Sequence, residues 1–152
     1  MKAQFKALAM ACVMAAGTIV AAPVFAATAS PVNTTFTATG ATNLSIAGIN
    51  VPCTSTFVLV TDGSGNVSVT QATFSGGGLC SSVHANSLPW SVSLPTTTTA
   101  VINNVNVSAS IFTCSGNANA TIGNSSITLT GQISSACSAS GTLNISPTFS
   151  VH

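Results

Sequence analysis

The chain has 152 residues, of which 46% are hydrophobic and only 2% charged: two Lys+Arg, one Asp+Glu and two His. A chain with no basic patch is poorly suited to nucleic acid or an anionic membrane surface. One carboxylate side chain excludes catalysis by paired carboxylates, and this hydrophobic content argues against disorder.

The N-terminus reads as a signal peptide over residues 1–26. Lys2 and Lys6 form a positive start, Ala7 to Val20 an apolar run, and Pro23-Val24-Phe25-Ala26 a small-residue cleavage site. The run is too short for a permanent membrane span. Cys12 does not sit in a lipoprotein pattern, since Ala9-Met10-Ala11-Cys12 lacks the usual leucine. Both lysines fall in this leader, so residues 27–152 keep Asp62 as their one formal charge, with His84 and His152 beside it. That length suits a single domain. Few charges also mean little repulsion between copies, which favours self-association and adsorption to surfaces.

Ala27 to Asn33 reads as a loose leader, followed by a strand at Thr34–Ala38 that stops at Gly40. Leu44 and Ile46 share one phase, and Ile49 and Val51 the other. The shift at Gly48 predicts a β-bulge within one continuous strand, with Pro52 limiting further pairing. Two β-rich runs then flank Asp62-Gly63-Ser64-Gly65-Asn66, a cluster suited to a tight turn. They form a predicted hairpin with Cys53 at one end and Cys80 at the other.

After Gly76-Gly77-Gly78, which lets the backbone bend, Asn86 to Trp90 is a loop and Ser91 to Leu94 a strand. Pro95 and Thr96–Thr99 form a connection. Val101, Val105, Val107 and Ile111 share a phase in the next run, which Gly116 to Asn119 breaks. Ser126 to Thr130 alternates cleanly. Leu143, Ile145, Phe149 and Val151 share the last phase, where Pro147 predicts an edge or an interruption. His152 is expected to fray. No helix-length period occurs outside the leader, and the predicted fold is all-β, an antiparallel sandwich or barrel-like domain.

Four cysteines remain beyond the leader: Cys53, Cys80, Cys114 and Cys137. An even number in an exported chain points to two disulfides rather than a zinc site, whose Cys-x2-Cys spacing is missing. Gly65–Thr70 weakly repeats in Gly123–Thr128, with a cysteine before and after each. The repeat favours Cys53 with Cys80 and Cys114 with Cys137. A hairpin centred on Ser64, however, sets Cys53 opposite Ser75 and leaves the crossed pairings open.

Little in the chain suggests chemistry. Asp62 and His84 could join a serine in a triad, but Asp62 reads as a turn residue and no nucleophile elbow surrounds any serine. The Asp62–Asn66 loop supplies one carboxylate to calcium, too few for a site. No catalytic residue, metal or cofactor is expected. A lone Trp in a small β domain is usually buried, and Trp90 reads first as a core anchor. The sharper reading joins Phe74, Leu79, Leu88 and Trp90 in an apolar surface for a hydrocarbon or another subunit.

Several segments resemble the bacterial family of protein activators of alkane oxidation, the Pra type. They are Thr35-Phe36-Thr37-Ala38-Thr39-Gly40, Val51 to Phe57 around Cys53, and Asp62 to Thr70. Ala72 to Gly76 with Leu79-Cys80, Leu88-Pro89-Trp90 and Cys137 to Leu143 complete the resemblance. It covers nearly the whole of residues 27–152 and carries no catalytic residues. It implies a small exported protein that promotes growth on long alkanes. The leading expectation is therefore a non-enzymatic accessory protein, secreted or on the cell surface, whose nearly uncharged Ser/Thr/Asn surface with apolar patches acts at the oil–water boundary or binds hydrocarbon. The alternative is a structural surface protein, such as an adhesin, matrix component or fimbria-like subunit, self-associating through sheet edges.

Overall fold

Alternation of apolar and polar residues sets the architecture of the computed structural model, which describes residues 26–152; the leader read at residues 1–26, Ala26 excepted, lies outside the described residues. The strands are β1 (Ala29–Ser30), β2 (Thr35–Ile46), β3 (Ile49–Thr61), β4 (Val67–Ser75), β5 (Val83–Asn86) and β6 (Trp90–Ser93). They continue as β7 (Thr99–Ala109), β8 (Phe112–Gly123), β9 (Ser126–Leu129), β10 (Gln132–Ser134), β11 (Cys137–Ser146) and β12 (Ser150–Val151). A 3-10 turn covers Gly78–Ser82.

The sheet runs β11-β2-β3-β4-β6-β7-β8-β9, and β9 pairs back onto β11, closing an eight-stranded antiparallel barrel. β5 extends the β6 position along β7, and β10 extends the β9 position along β11. The fold is all-β and barrel-like, as the alternation predicts. It holds two disulfides, Cys53–Cys80 and Cys114–Cys137, the within-half pairing that the weak repeat favours.

Closure sorts the side chains by phase. In β2, Phe36, Ala38, Leu44 and Ile46 are buried, while Thr35, Thr37, Thr39 and Asn43 face out. The interior packs Trp90, Phe36, Leu143, Val69 and Ile102. The wall outside is a lattice of hydroxyls and amides: Thr39 Oγ1 donates to Thr56 Oγ1 at 3.2 Å, the Thr128 and Thr142 hydroxyls lie 2.9 Å apart, and Asn103 Nδ2 donates to Ser93 Oγ at 2.8 Å. A membrane-spanning barrel carries its apolar band on this outer face, so the polarity here is reversed. No helix among the described residues is long and apolar enough to cross a membrane.

Several local expectations are corrected. Gly48 is not a bulge: Ala47 and Gly48, both at positive φ (51° and 83°), form a two-residue hairpin turn, and Ile46 pairs with Ile49. The phase change there is the chain reversing. Pro52 stays in the β2–β3 ladder opposite Asn43, at the stretch where β3 has lost β4 as a neighbour. Gly40 and Gly116 do not end strands. Each lies inside one, because a neighbouring strand crosses so closely that a Cβ would run into the Thr142 or Ile133 carbonyl oxygen.

In β7 a register shift between Ile102 and Val105, with Asn104 at positive φ, flips the phase. Ile102, Val105, Val107 and Ala109 point inward. Val101 does not, and Ile111 stands in the β7–β8 turn, 88% exposed. The hairpin about Ser64 also slips by one residue between Val58 and Leu59, so Thr54, not Cys53, meets Ser75.

Both ends of the described chain are tied down, contrary to the loose leader and frayed terminus read from sequence. Ala27 N donates to Leu94 O at 3.0 Å and Ala29 N to Gly65 O at 2.9 Å. His152 exchanges both backbone hydrogen bonds with Thr28, extending the β1–β12 pair.

Candidate functional site

The four residues of the apolar surface read from sequence separate in the fold. Trp90 is 1% exposed, its Nε1 donates to Asn86 O at 2.9 Å, and its ring meets Phe57 edge-on at 6.4 Å. Phe74 is half-buried and meets the same Phe57 ring at 6.2 Å. Both line an interior void of about 40 Å³ among Leu44, Ile102 and Val107. An apolar cavity that takes up benzene measures about 150 Å³, so this void is too small to hold a hydrocarbon inside the barrel. Leu88 is half-buried in the loop before β6 and does not line the void. Leu79 alone is exposed, and it belongs to a different hollow.

That hollow opens at the end of the barrel where β4 leaves β3. Pairing between them ends at Thr54 with Ser75, and Gly76, at φ +146°, turns the chain away. The chain returns as the 3-10 turn, and Cys80, fully buried, is bonded to Cys53 on β3. The bridge therefore fixes the turn across the gap with its neighbour Leu79 outward, 45% exposed. From the other side the β7–β8 turn brings Ile111 and Phe112, and the β2–β3 turn brings Ile49.

The result is a groove of about 180 Å³ floored by Ile46, Val51 and Ala109 and rimmed by Ile49, Leu79 and Phe112. Ile49, Leu79, Ile111 and Phe112 are 44%, 45%, 88% and 39% exposed. They are four of the five large apolar side chains exposed among the described residues; the fifth is Val32. Of these four, the apolar surface read from sequence includes Leu79 alone. A signal existed: Ile111 and Phe112 are adjacent, and adjacent strand residues cannot both face one core.

The opposite end is polar. β3 runs 13 residues from Ile49 at the groove to Thr61, about 40 Å along the strand, and Asp62 follows. Asp62 Oδ1 accepts from Ser64 N at 2.8 Å and Asn66 N at 2.9 Å, and Oδ2 accepts from Asn66 Nδ2 at 2.8 Å. The Asn66 side chain, then the Asn66 and Ser64 backbone N–H groups, hold its carboxyl below the usual value. Asp62 and His84 thus cannot meet in a triad, since His84 pairs with Ser108 near the groove end.

The lowered Asp62 value has a sign. Its stabilisation is fully present above the unfolded carboxylate value of about 3.9 and fades as pH falls through the lower folded value. Melting temperatures from pH 7 to about pH 2.5, read by circular dichroism, are expected to show a decrement in acid that Asp62→Asn lacks.

Comparison with curated proteins and with solved structures finds no match. The match that the chain does make runs through every strand described above. It covers residues 1–152, and the chain belongs to the alkane oxidation protein activator PraA/PraB-like family.

Proposed function

We propose that this chain is an exported, non-enzymatic accessory protein that promotes alkane assimilation by touching liquid hydrocarbon through its apolar rim. The observation that carries this reading is the gathering of Ile49, Leu79, Ile111 and Phe112 at one end of a barrel whose wall is hydroxyl and amide. Exposed apolar clusters of this kind mark contact sites. A particle with one apolar end and an uncharged, hydrated wall adsorbs with a defined orientation at an oil–water boundary.

Export is supported by the two disulfides, which persist in oxidising compartments, and by the leader read over residues 1–26. The family is described as an activator, which fits an accessory role. Self-association through sheet edges finds less support, because the ring closes and removes the edges of its long strands.

Pendant-drop tensiometry tests the reading. Residues 27–152 are expected to lower the tension between hexadecane and buffer, equally at low ionic strength and in about 1 M salt, since there is almost no charge to screen. Ile111→Ser removes the most exposed of these side chains and should weaken the effect while leaving the melting temperature nearly unchanged. Tension that stays at the buffer value with the parent protein sinks the proposal.

A further inference from the structure

We infer that the rim groove is a saturable site for one saturated hydrocarbon chain in its unoxidised form, an inference that rests on the hydrocarbon contact proposed above. Adsorption to oil needs only an apolar surface, but this surface is concave and has a floor. The groove's volume of about 180 Å³ exceeds the ~150 Å³ that admits benzene, so a short alkyl chain fits whole. The floor continues the barrel's inward phase: Ile46 follows Leu44 in β2 and Ala109 follows Val107 in β7, and those deeper residues line the inner void.

The lining also selects against an oxidised end. Among the side chains around the groove, Ser110 alone carries a polar atom. Residues 27–152 contain no lysine or arginine, so nothing in the described chain can serve as a permanent counter-charge for a carboxylate. A six-carbon alkane has no part that must stay in water. The six-carbon carboxylate must either carry its charge onto an apolar floor or draw its last carbons back into water. Each methylene left in water forfeits roughly a factor of four in affinity. The groove therefore takes up the hydrocarbon and does not retain the product of its oxidation, which sets the protein ahead of the reaction that oxidises the chain end.

Methyl-resolved NMR of residues 27–152 tests this with n-hexane and hexanoate at neutral pH. Methyl signals of Ile46, Ile49, Leu79 and Ile111 are expected to shift saturably with n-hexane, while Val32, exposed at the far end, stays still. Hexanoate should bind at least ~10-fold more weakly. Leu79→Lys, which takes an apolar side chain from the rim and adds a cation there, should weaken hexane and bring hexanoate to within about twofold of it. Equal affinity for hexane and hexanoate in the parent protein, or rim methyls that fail to shift or to saturate, overturns the inference. If tension at hexadecane still falls while those methyls do not move, this inference fails and the contact reading stands; if neither responds, both fail.

Discussion

Trp90→Ala is expected to destabilise the fold by about 4 kcal/mol, the upper range for removing a large buried aromatic. Trp90 sits in β6 opposite Val69, with Phe57 against its ring and its indole N–H spent on Asn86 O. Alanine would open the neighbouring void of about 40 Å³ into a cavity several times larger, lined by side chains that strand ladders keep from collapsing. Against a total of about 5–15 kcal/mol, that is a large fraction of the stability. Trp90→Phe keeps much of the ring, loses the indole hydrogen bond to Asn86 O and should cost closer to 1–2 kcal/mol. Urea denaturation followed by far-UV circular dichroism measures both. The same variants separate core from contact: Trp90 lies away from the rim, so folded Trp90→Phe protein should lower hexadecane tension as well as the parent. A loss of interfacial action with stability intact would place Trp90 back in the contact surface.

The fold was legible where one period held over several residues. The C-terminal alternation of Leu143, Ile145 and Phe149 survives in the structure, all three buried, with the expected interruption at Pro147. It failed where the phase shifted and two different causes gave the same pattern. A bulge and a two-residue turn both invert the alternation, and Ala47-Gly48 lacks the Asn-Gly or Asp-Gly signature that would separate them. Gly40 and Gly116 looked like strand ends because a glycine's close packing against another strand leaves no local trace in sequence. Ring closure was illegible for a related reason. It depends on β9 meeting β11, and nothing in either strand alone distinguishes a barrel from an open sandwich.

The site was legible in one residue, Leu79, because its neighbour Cys80 marked the position. Ile49, Ile111 and Phe112 each sit in or beside a hairpin turn that alternation alone reads as continuous strand. Once Ile111 is assigned to a strand's inward phase, it is counted as core. Exposed apolar residues become visible only when turns are placed correctly, since a turn is where the inward phase can point to solvent. The rim is thus a consequence of topology: three separate chain reversals at one end of the barrel each contribute one or two side chains.

The two disulfides provide the sharpest separation of stability from function. Their loops are nearly equal, with sequence separations of 27 and 23 residues, so the chain-entropy estimate gives each about 3.5 kcal/mol. Cys53→Ala with Cys80→Ala and Cys114→Ala with Cys137→Ala should therefore shift urea midpoints by similar amounts. Their effects on the rim should differ. Cys53–Cys80 fastens the 3-10 turn across the gap between β3 and β7, and without it Gly76-Gly77-Gly78 lets Leu79 leave the groove. Cys114–Cys137 joins β8 to the start of β11 and contributes no residue to the groove. Under conditions where both variants remain folded, tension at hexadecane should rise toward the buffer value for the first pair and stay near the parent's for the second. Equal losses would mean that general stability, rather than a groove held in shape by one bridge, governs contact with oil.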